Sequence, residues 1–336
     1  ASNVAVGVEA LQANTTANFN TAVGYQAGYS TTTGASNVFV GGASWNSGYG
    51  AGYNNTTGEY NIAIGANALG NNTTASNNVS VGYQSLYANT TGANNVAIGK
   101  DALDSNTTAS NNVAIGVDAL QTNTVGAESV AIGTFALNAQ NPASATSMYN
   151  VAIGHNTGAS VTTGIGNTLI GGLAGDALTD ANSNVAIGRE ALTSDTLGSR
   201  SVAIGQHALQ VQNFTSATNT YNVAIGYDAG VSVTTGTENT LIGGLAGDAI
   251  TTGSYNTTLG YDSSGKVTTG SHNVSVGRMA LRETTTGSNN TALGRSALEA
   301  NTTASNNTAV GYQAMNANTT GAQNTSVGMF SLTNNT

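Results

Sequence analysis

The chain contains no cysteine among its 336 residues. Disulfide bridges and cysteine-ligated metal sites are therefore excluded. Only 7% of the residues are charged, against about 25% in ordinary globular proteins. Lys and Arg together number seven and the formal net charge is −9. Because no basic patch exists to displace counterions from phosphates, we expect no nucleic-acid partner.

Long apolar stretches are also missing. No run of 18 consecutive apolar residues occurs, and a membrane-spanning helix needs one of about that length. The first residues lack the basic and apolar regions of a secretory signal peptide, and neither end carries the polar cap that a solenoid end needs. We therefore expect no membrane insertion, and we interpret the sequence as a segment of a longer polypeptide.

What the sequence does contain is one short motif, Asn-Val-Ala-Ile-Gly or a close variant, repeated nineteen times. Fifteen of the eighteen intervals between the closing glycines are 17 residues, and the others are 24, 21 and 21. So strict a period is typical of solenoids, in which one coil of backbone is stacked many times. We therefore predict one continuous repeat domain over residues 1–336, with irregular coils at 42–60, 134–149 and 206–221.

The repeat at residues 95–111 shows how a coil is built. Its Val-Ala-Ile segment alternates like a short strand, and Gly99, present in every copy, predicts a corner with positive φ or a close backbone approach. We expect a second short strand at Ala102 and Leu103. The apolar spacing does not fit an amphipathic helix. The predicted fold class is all-β: a parallel β-solenoid (β-roll) of about 19 coils with a 17-residue period.

Alternation along the strand places Val96 and Ile98 on one face and Ala97 on the other. We expect Val and Ile inside the roll, which leaves a stripe of small alanine side chains outside. Such a stripe permits close approach of another backbone, so we expect lateral association. The asparagine that opens 17 of the 19 repeats has two interpretations: a hydrogen-bonded ladder along the stack or a local turn-maker.

Two sets of residues carry a family resemblance. Ser129–Gly133, with Ala136 three residues later, resembles the head-domain motif of trimeric autotransporter adhesins of the YadA type. Asn20–Ala27 and Asn307–Ala314 are similar to repeats in bacteriophage tail fibres. The resemblance covers essentially the whole chain and implies a homotrimer of parallel β-rolls, a rod that projects outward and adheres to a surface. The longer coil, and the lack of a neck, coiled coil or membrane anchor, favour the phage fibre.

Recognition is expected at the three irregular coils, because insertions in solenoids emerge as loops on one face. Aromatic rings beside polar groups suit a glycan-binding surface. The alternative is that Tyr49 and Tyr53 only cover the edge of an irregular coil. The candidate ligand-binding residues are Trp45, Tyr49, Tyr53, Tyr149, Phe214 and Tyr221.

Other classes of function receive less support. His155, His207 and His272 lie in different repeats, and no catalytic-triad order or zinc spacing occurs. Asp101 and Asp118 lie one coil apart, so a Ca²⁺ ion bridging their carboxylates is one interpretation. The other is that both are solvated acids at the corners of their coils, and we expect this second interpretation to hold. The recurrent Asn-Thr-Thr formally reads as a glycosylation acceptor, and its threonines suggest ice binding, although other coils replace them. We expect no enzymatic activity, no cofactor and no bound metal.

The predicted function is that of a structural and adhesive fibre segment, the shaft or receptor-binding region of a phage tail fibre. The expected partners are two further copies of the chain and a host-surface polysaccharide or receptor. The expected location is extracellular, on a virion tail, or alternatively on a bacterial outer surface. The head of an autotransporter-type adhesin and a non-specific extracellular filament are the alternatives.

Overall fold

The computed structural model describes residues 2–43 and 48–334. It divides into two compact units, residues 1–166 and 167–336. Each unit is a parallel β-solenoid, and together they contain about 19 turns with a period near 17 residues. The residues that are described contain no helix. The predicted all-β solenoid is therefore confirmed, while the single continuous domain stays a prediction.

Each turn contributes one three-residue strand to a parallel ladder. In the first unit these strands are β1 (Val4–Val6), β2 (Thr21–Val23), β3 (Val38–Val40), β4 (Ile62–Ile64), β5 (Val79–Val81), β6 (Val96–Ile98), β7 (Val113–Ile115), β9 (Val130–Ile132) and β11 (Val151–Ile153). Successive strands pair in register, so that Ala97 lies beside Ala114. A shorter pair, β8 (Gly126–Ala127) and β10 (Thr146–Ser147), joins the first 21-residue coil to its neighbour.

The second unit repeats the arrangement. Its ladder strands are β12 (Thr168–Ile170), β13 (Val185–Ile187), β15 (Val202–Ile204), β17 (Val223–Ile225), β18 (Thr240–Ile242), β19 (Thr257–Leu259), β20 (Val274–Val276), β21 (Thr291–Leu293), β22 (Thr308–Val310) and β23 (Thr325–Val327). The pair β14 (Gly198–Ser199) and β16 (Thr218–Asn219) accompanies the second 21-residue coil.

The closing glycine satisfies both of its predicted roles. Gly99 has a φ of 136°, a conformation that L-residues with a side chain rarely adopt. A Cβ atom added to Gly99 would lie 2.4 Å from the carbonyl oxygen of Gly116 in the next coil. Coils therefore stack at this corner at a distance that only glycine permits.

The prediction that Val and Ile fill the interior is wrong. From β2 onward the middle residue of each three-residue strand is buried. Ala97 is fully buried, whereas Ile98 is 38% exposed. The interior also holds the turn leucine, represented by Leu103, and the opening asparagine. Because side chains alternate along a strand, an inward asparagine at position 95 sends Val96 outward, Ala97 inward and Ile98 outward. The alanine stripe thus lies inside the coil, and Val and Ile form its outer face.

The second short strand expected at Ala102 and Leu103 is also absent: this part of the coil is a turn. Asp101 and Leu103 have φ values of 55° and 51°, in the left-handed region that disrupts an extended strand. Their backbone groups still bond between coils. Asp101 N donates to Tyr83 O at 3.0 Å and Leu103 N donates to Ala119 O at 3.0 Å. Intercoil hydrogen bonds therefore continue around the turns.

Substitutions in the core compensate one another in size. Phe39 replaces the small inward residue of β3 and is fully buried. The preceding coil has Gly28, and the coil of Phe39 itself has Gly52, where other coils have a turn leucine. A Cβ on Gly52 would lie 2.3 Å from the Phe39 ring. Leu169 and Gly175 show the same exchange in the second unit, where a Cβ on Gly175 would lie 2.9 Å from Leu169. The interior thus keeps a nearly constant volume per coil.

The opening asparagines form a ladder, the first of the two interpretations of this position. Asn95 N donates to Asn78 Oδ1 at 2.9 Å in the previous coil, and Asn95 Nδ2 donates to Ala109 O at 2.9 Å within its own coil. Where Ser129 replaces this asparagine, Gln140 reaches in and accepts a hydrogen bond from Ser129 Oγ at 3.2 Å. Each buried amide therefore keeps a partner across the stack, as burial of polar groups requires.

A second ladder runs through the asparagines of the Asn-Thr-Thr segments. Asn106 Nδ2 donates to Asn89 Oδ1 at 2.8 Å and to Ala109 O at 3.1 Å. Both asparagine side chains are fully buried. The folded coil therefore withholds these formal glycosylation acceptors from a modifying enzyme.

Candidate interaction surface

An apolar stripe covers the outer face of the strand ladder in both units. It consists of the third residue of each three-residue strand, which is Val, Ile or Leu in every described strand, and of the first residue, which is Val or Ile in twelve of these strands and Thr in seven. In the first unit Ile62, Ile64 and Ile98 are 38%, 40% and 38% exposed. In the second unit Leu259 and Leu293 are each 45% exposed. We call this stripe the outer apolar face. Contiguous exposed apolar area of this kind is uncommon on a soluble single chain and is typical of an interaction surface.

The tyrosines of the first irregular coil belong to a stack of four rings. Tyr53 stacks on Tyr29 with ring centroids 4.9 Å apart, and Tyr49 stacks on the other side of Tyr53 at 4.4 Å. Tyr87 follows at 6.4 Å from Tyr49. The coil between those of Tyr53 and Tyr87 has Gly70 at the equivalent position, and a Cβ there would lie 3.0 Å from the Tyr87 ring. The insertion therefore places Tyr49 in the gap that Gly70 leaves.

This stack limits what the tyrosines can bind. Both faces of the Tyr53 ring are covered by neighbouring rings, so no face remains for a sugar to stack upon. The main chain of Tyr49 is held as well, since Asn67 N donates to Tyr49 O at 3.1 Å. The arrangement favours the alternative that Tyr49 and Tyr53 cover an irregular coil. Tyr29 and Tyr87 were not foreseen, although the 17-residue period places them in one column with Tyr53.

The remaining candidate residues separate into two groups. Tyr149 is 63% exposed and Tyr221 is 48% exposed. Tyr221 Oη lies 2.7 Å from Arg200 Nη1, and the Arg200 guanidinium lies 5.6 Å from the Tyr221 ring centroid. Phe214 is only 7% exposed, which removes it from the candidate binding residues. Trp45 lies outside the described residues.

A groove opens beside the insertion of the first 21-residue coil. Its volume is about 280 Å³, just below the range of about 300–1,000 Å³ that is usual for small-ligand sites. The lining consists of small and hydroxylated side chains from three successive coils: Thr108, Ala109, Ser110, Val125, Ala127, Ala145, Thr146 and Ser147. The groove combines hydroxyl donors and acceptors with methyl groups, which suits an uncharged polar ligand. The Asn, Ser and Thr content of the sequence gives no signal that distinguishes these residues from the same types elsewhere.

His207 is the only histidine with a carboxylate on each side within the described residues. Its Nδ1 lies 2.9 Å from Asp228 Oδ1 and its Nε2 lies 3.4 Å from Glu190 Oε2. Arg189 also pairs with Glu190 at 3.0 Å. Successive coils thus join their charged corners by short polar contacts. In the part of the chain that the structure describes, no group of three or more His, Asp or Glu residues is arranged to hold a metal ion.

Three corner carboxyls have a raised pKa: burial raises that of Asp176, and the shifts of Asp104 and Asp248 are larger. Desolvation, and next the charge of Asp101, raise the pKa of Asp104 to about 6. Desolvation and the charge of Asp262 raise the pKa of Asp248 to about 6. Asp104 and Asp248 are half-buried, and one carboxyl oxygen of each has no hydrogen-bond partner. The charged form of each therefore destabilises the fold.

We expect the substitution Asp104→Asn to stabilise the protein at pH 7.5 by about 1 kcal/mol and to have little effect at pH 4. The pKa of about 6 in the folded protein exceeds the usual aspartate value of 3.8. The contribution of Asp104 to the free energy of unfolding is therefore fully present below pH 3.8 and is lost as the pH rises through 6. The full shift corresponds to about 3 kcal/mol, which solvent screening of a half-exposed group reduces. Denaturant unfolding at both pH values measures the free energy of unfolding of the variant and of the unsubstituted protein. If the substitution changed this free energy equally at pH 7.5 and pH 4, the charge of Asp104 would not be the cause of the stabilisation.

Comparison with known proteins does not assign the chain to a family. No protein-family model matches the chain, and a search of the curated proteins finds no match. Among the residues described, none forms a helix long and apolar enough to cross a bilayer.

Proposed function

We propose that the chain is a structural and adhesive fibre segment that associates with two further copies of itself and contacts a host-surface polysaccharide. The outer apolar face carries this proposal. A single chain leaves Ile64 and Leu259 40% and 45% exposed, and lateral packing of identical copies removes such side chains from water at about 25 cal/mol per Å². When identical chains associate around a rotation axis, the outer apolar face of each copy packs against the outer apolar faces of its neighbours.

The resemblance of Asn20–Ala27 and Asn307–Ala314 to tail-fibre repeats supports a place on a virion tail fibre, and the way the coils are joined is compatible with a role outside a cell. Backbone groups pair between coils even in the turns, and buried asparagines link neighbouring coils by side-chain hydrogen bonds. A stack of this kind holds its structure without disulfides, since the chain has no cysteine. Three copies multiply weak contacts, and linked binding sites raise the overall affinity by about 10²–10⁴-fold.

The polysaccharide contact is proposed at the groove beside the first 21-residue insertion. Thr108, Ser110, Thr146 and Ser147 offer hydroxyls there, and Ala109 and Ala127 offer methyl contacts to the apolar face of a sugar ring. Hydroxyls of this kind hydrogen-bond both as donors and as acceptors, which matches the hydroxyls of an uncharged glycan.

Binding of the labelled protein to an array of bacterial surface polysaccharides tests the proposal. The double variant Thr146→Val/Ser147→Ala removes two groove hydroxyls, and we expect it to bind at least tenfold more weakly, which is about 1.4 kcal/mol. Thr91→Val, an exposed threonine outside the groove, is the matched control and is expected to bind normally. Unchanged binding by the double variant would place the contact elsewhere. An assembled protein that binds no glycan would leave only the non-specific filament.

A further inference from the structure

Two columns of exposed side chains flank the outer apolar face. The first column is the residue before each inward asparagine or serine, and the second is the residue after each closing glycine. Tyr255 and Tyr261 are the members from one coil of the second unit, and they are 48% and 52% exposed. Five residues separate them, including the strand Thr257–Leu259. We call these columns the leading shoulder and the trailing shoulder.

Aromatic residues on the two shoulders occur together. Five coils have a Phe or Tyr on the leading shoulder, and three of these also have a Tyr six residues later on the trailing shoulder. The three pairs are Phe19 with Tyr25, Tyr221 with Tyr227, and Tyr255 with Tyr261. In a fourth coil Tyr149 is followed by His155. The pairing points to a contact between shoulders of the same coil level.

That contact is not made within one chain. A six-residue extended segment spans up to about 20 Å, and the shoulders lie on opposite sides of the strand face. The ring contacts of Tyr255 and Tyr221 run along the leading shoulder instead. Tyr255 stacks on His272 at 4.8 Å, and Tyr221 carries Arg200 over its ring. Among the described residues no ring contact joins Tyr255 to Tyr261, and both rings keep about half of their surface exposed.

We infer that each leading-shoulder tyrosine packs against the trailing-shoulder tyrosine of a neighbouring copy, with Tyr255 on Tyr261 and Tyr221 on Tyr227. This inference rests on the proposed self-association. When identical chains turn their outer apolar faces toward a common rotation axis, the leading shoulder of one chain meets the trailing shoulder of the next. Rotational symmetry keeps equivalent coils at the same level, so the residues that meet are those of one repeat.

The aromatic pairs also specify the alignment of the copies. A slip of one coil brings Tyr221 opposite Gly244, which offers no side chain, instead of Tyr227. Aromatic pairs prefer ring centroids about 4.5–7 Å apart, and a slip of about 4.8 Å along the stack breaks that geometry. On this assignment Tyr221 serves the interface between copies, and the polysaccharide contact is made by the groove at the first 21-residue insertion.

Thiol cross-linking tests the inference, because the chain has no cysteine of its own. Packed tyrosines keep their Cα atoms beyond the roughly 7 Å that a disulfide spans, so a short bismaleimide is the suitable cross-linker. The double variant Tyr255→Cys/Tyr261→Cys is expected to give covalently closed trimers on a denaturing gel. Each single variant is expected to give none. The double variant Tyr255→Cys/Tyr227→Cys places its thiols two coil levels apart. It is expected to give less than a tenth of the covalent trimer that Tyr255→Cys/Tyr261→Cys gives.

The outcomes separate this inference from the proposal on which it rests. Both substituted tyrosines are about half exposed, so neither change empties the core, and Tyr221→Cys/Tyr227→Cys provides a second pair at another level. Trimers by light scattering without cross-linking of either matched pair would overturn the shoulder contact and leave the homotrimer standing. Preferred cross-linking of the offset pair would overturn the alignment. A single-chain mass for the unsubstituted protein would overturn both.

Discussion

Replacing Gly116 with alanine is expected to prevent the first unit from folding normally. Gly116 has a φ of 140°, and a Cβ atom there would lie 2.5 Å from the backbone carbonyl carbon and oxygen of Gly133. Backbone atoms cannot rotate away as a flexible side chain does, so the coils must separate at this corner. A separation breaks neighbouring bonds of the ladder, such as Gly116 N to Ile98 O at 2.8 Å. We expect destabilisation of about 4 kcal/mol or more, at the upper end of single substitutions.

The matched control is Gly244→Ala. Gly244 follows a closing glycine, and a Cβ there meets its nearest atom, on the Tyr261 ring, at 3.6 Å, which is ordinary van der Waals contact. We expect a change of at most about 0.5 kcal/mol for this surface substitution. Thermal unfolding followed by circular dichroism measures both variants. Equal melting temperatures for Gly116→Ala and the unsubstituted protein would contradict the close stacking of the glycine corners.

Replacing Ile98 with glutamate is expected to leave the coil folded and to dissociate the copies. Ile98 is 38% exposed in the single chain, so a glutamate there remains solvated and costs folding about 0.5–1 kcal/mol. In an assembly with the apolar faces around one axis, equivalent carboxylates converge in an environment that excludes water. Burial of an unpaired charge costs several kcal/mol. We expect the dissociation constant to rise at least about 100-fold, equivalent to 2.7 kcal/mol.

Thr91→Glu provides the comparison, because Thr91 is exposed on a different side of the coil. This variant adds the same charge and is expected to assemble like the unsubstituted protein. Size-exclusion chromatography over a dilution series measures the dissociation of both. If Ile98→Glu assembled as well as Thr91→Glu, the outer apolar face would not be the contact surface.

The period and the corner glycines made the solenoid predictable from sequence. An interval of 17 residues is too short for a helix with its connection, and the segment Val96–Ile98 has the alternation of a strand, as found. The recurrence of asparagine at the position of Asn95 left two interpretations open, a ladder and a local turn-maker, and the structure shows the ladder. These features depend on local geometry and exact repetition, which a sequence displays directly.

The orientation of the strand faces was mispredicted because hydrophobicity alone ranks Val and Ile above Ala for burial. The coil is narrow, and the inward asparagine and the turn leucine already occupy its interior. Given an inward Asn95, strict alternation requires an inward Ala97, so the asparagine ladder is the signal that assigns the faces. The turn at Asp101 and Leu103 was unpredictable for a different reason: both residues adopt positive φ without being glycine.

The candidate site was only partly predictable because its parts depend on contacts between coils. Tyr49 occupies a gap that exists only because Gly70 stands one coil away from Tyr53. Phe214 looked like a loop aromatic but is buried, and its backbone N–H donates to the buried Asp195 carboxylate at 3.1 Å. Neither fact follows from the composition of the insertions.

Sedimentation equilibrium of the unsubstituted protein tests the central claim, that copies of the chain cover one another's outer apolar face. The account predicts a mass of about 100 kDa, three times the 33.3 kDa of one chain. A mass of one chain across the whole accessible range of concentrations, with Ile98 and its equivalents left in water, would contradict it.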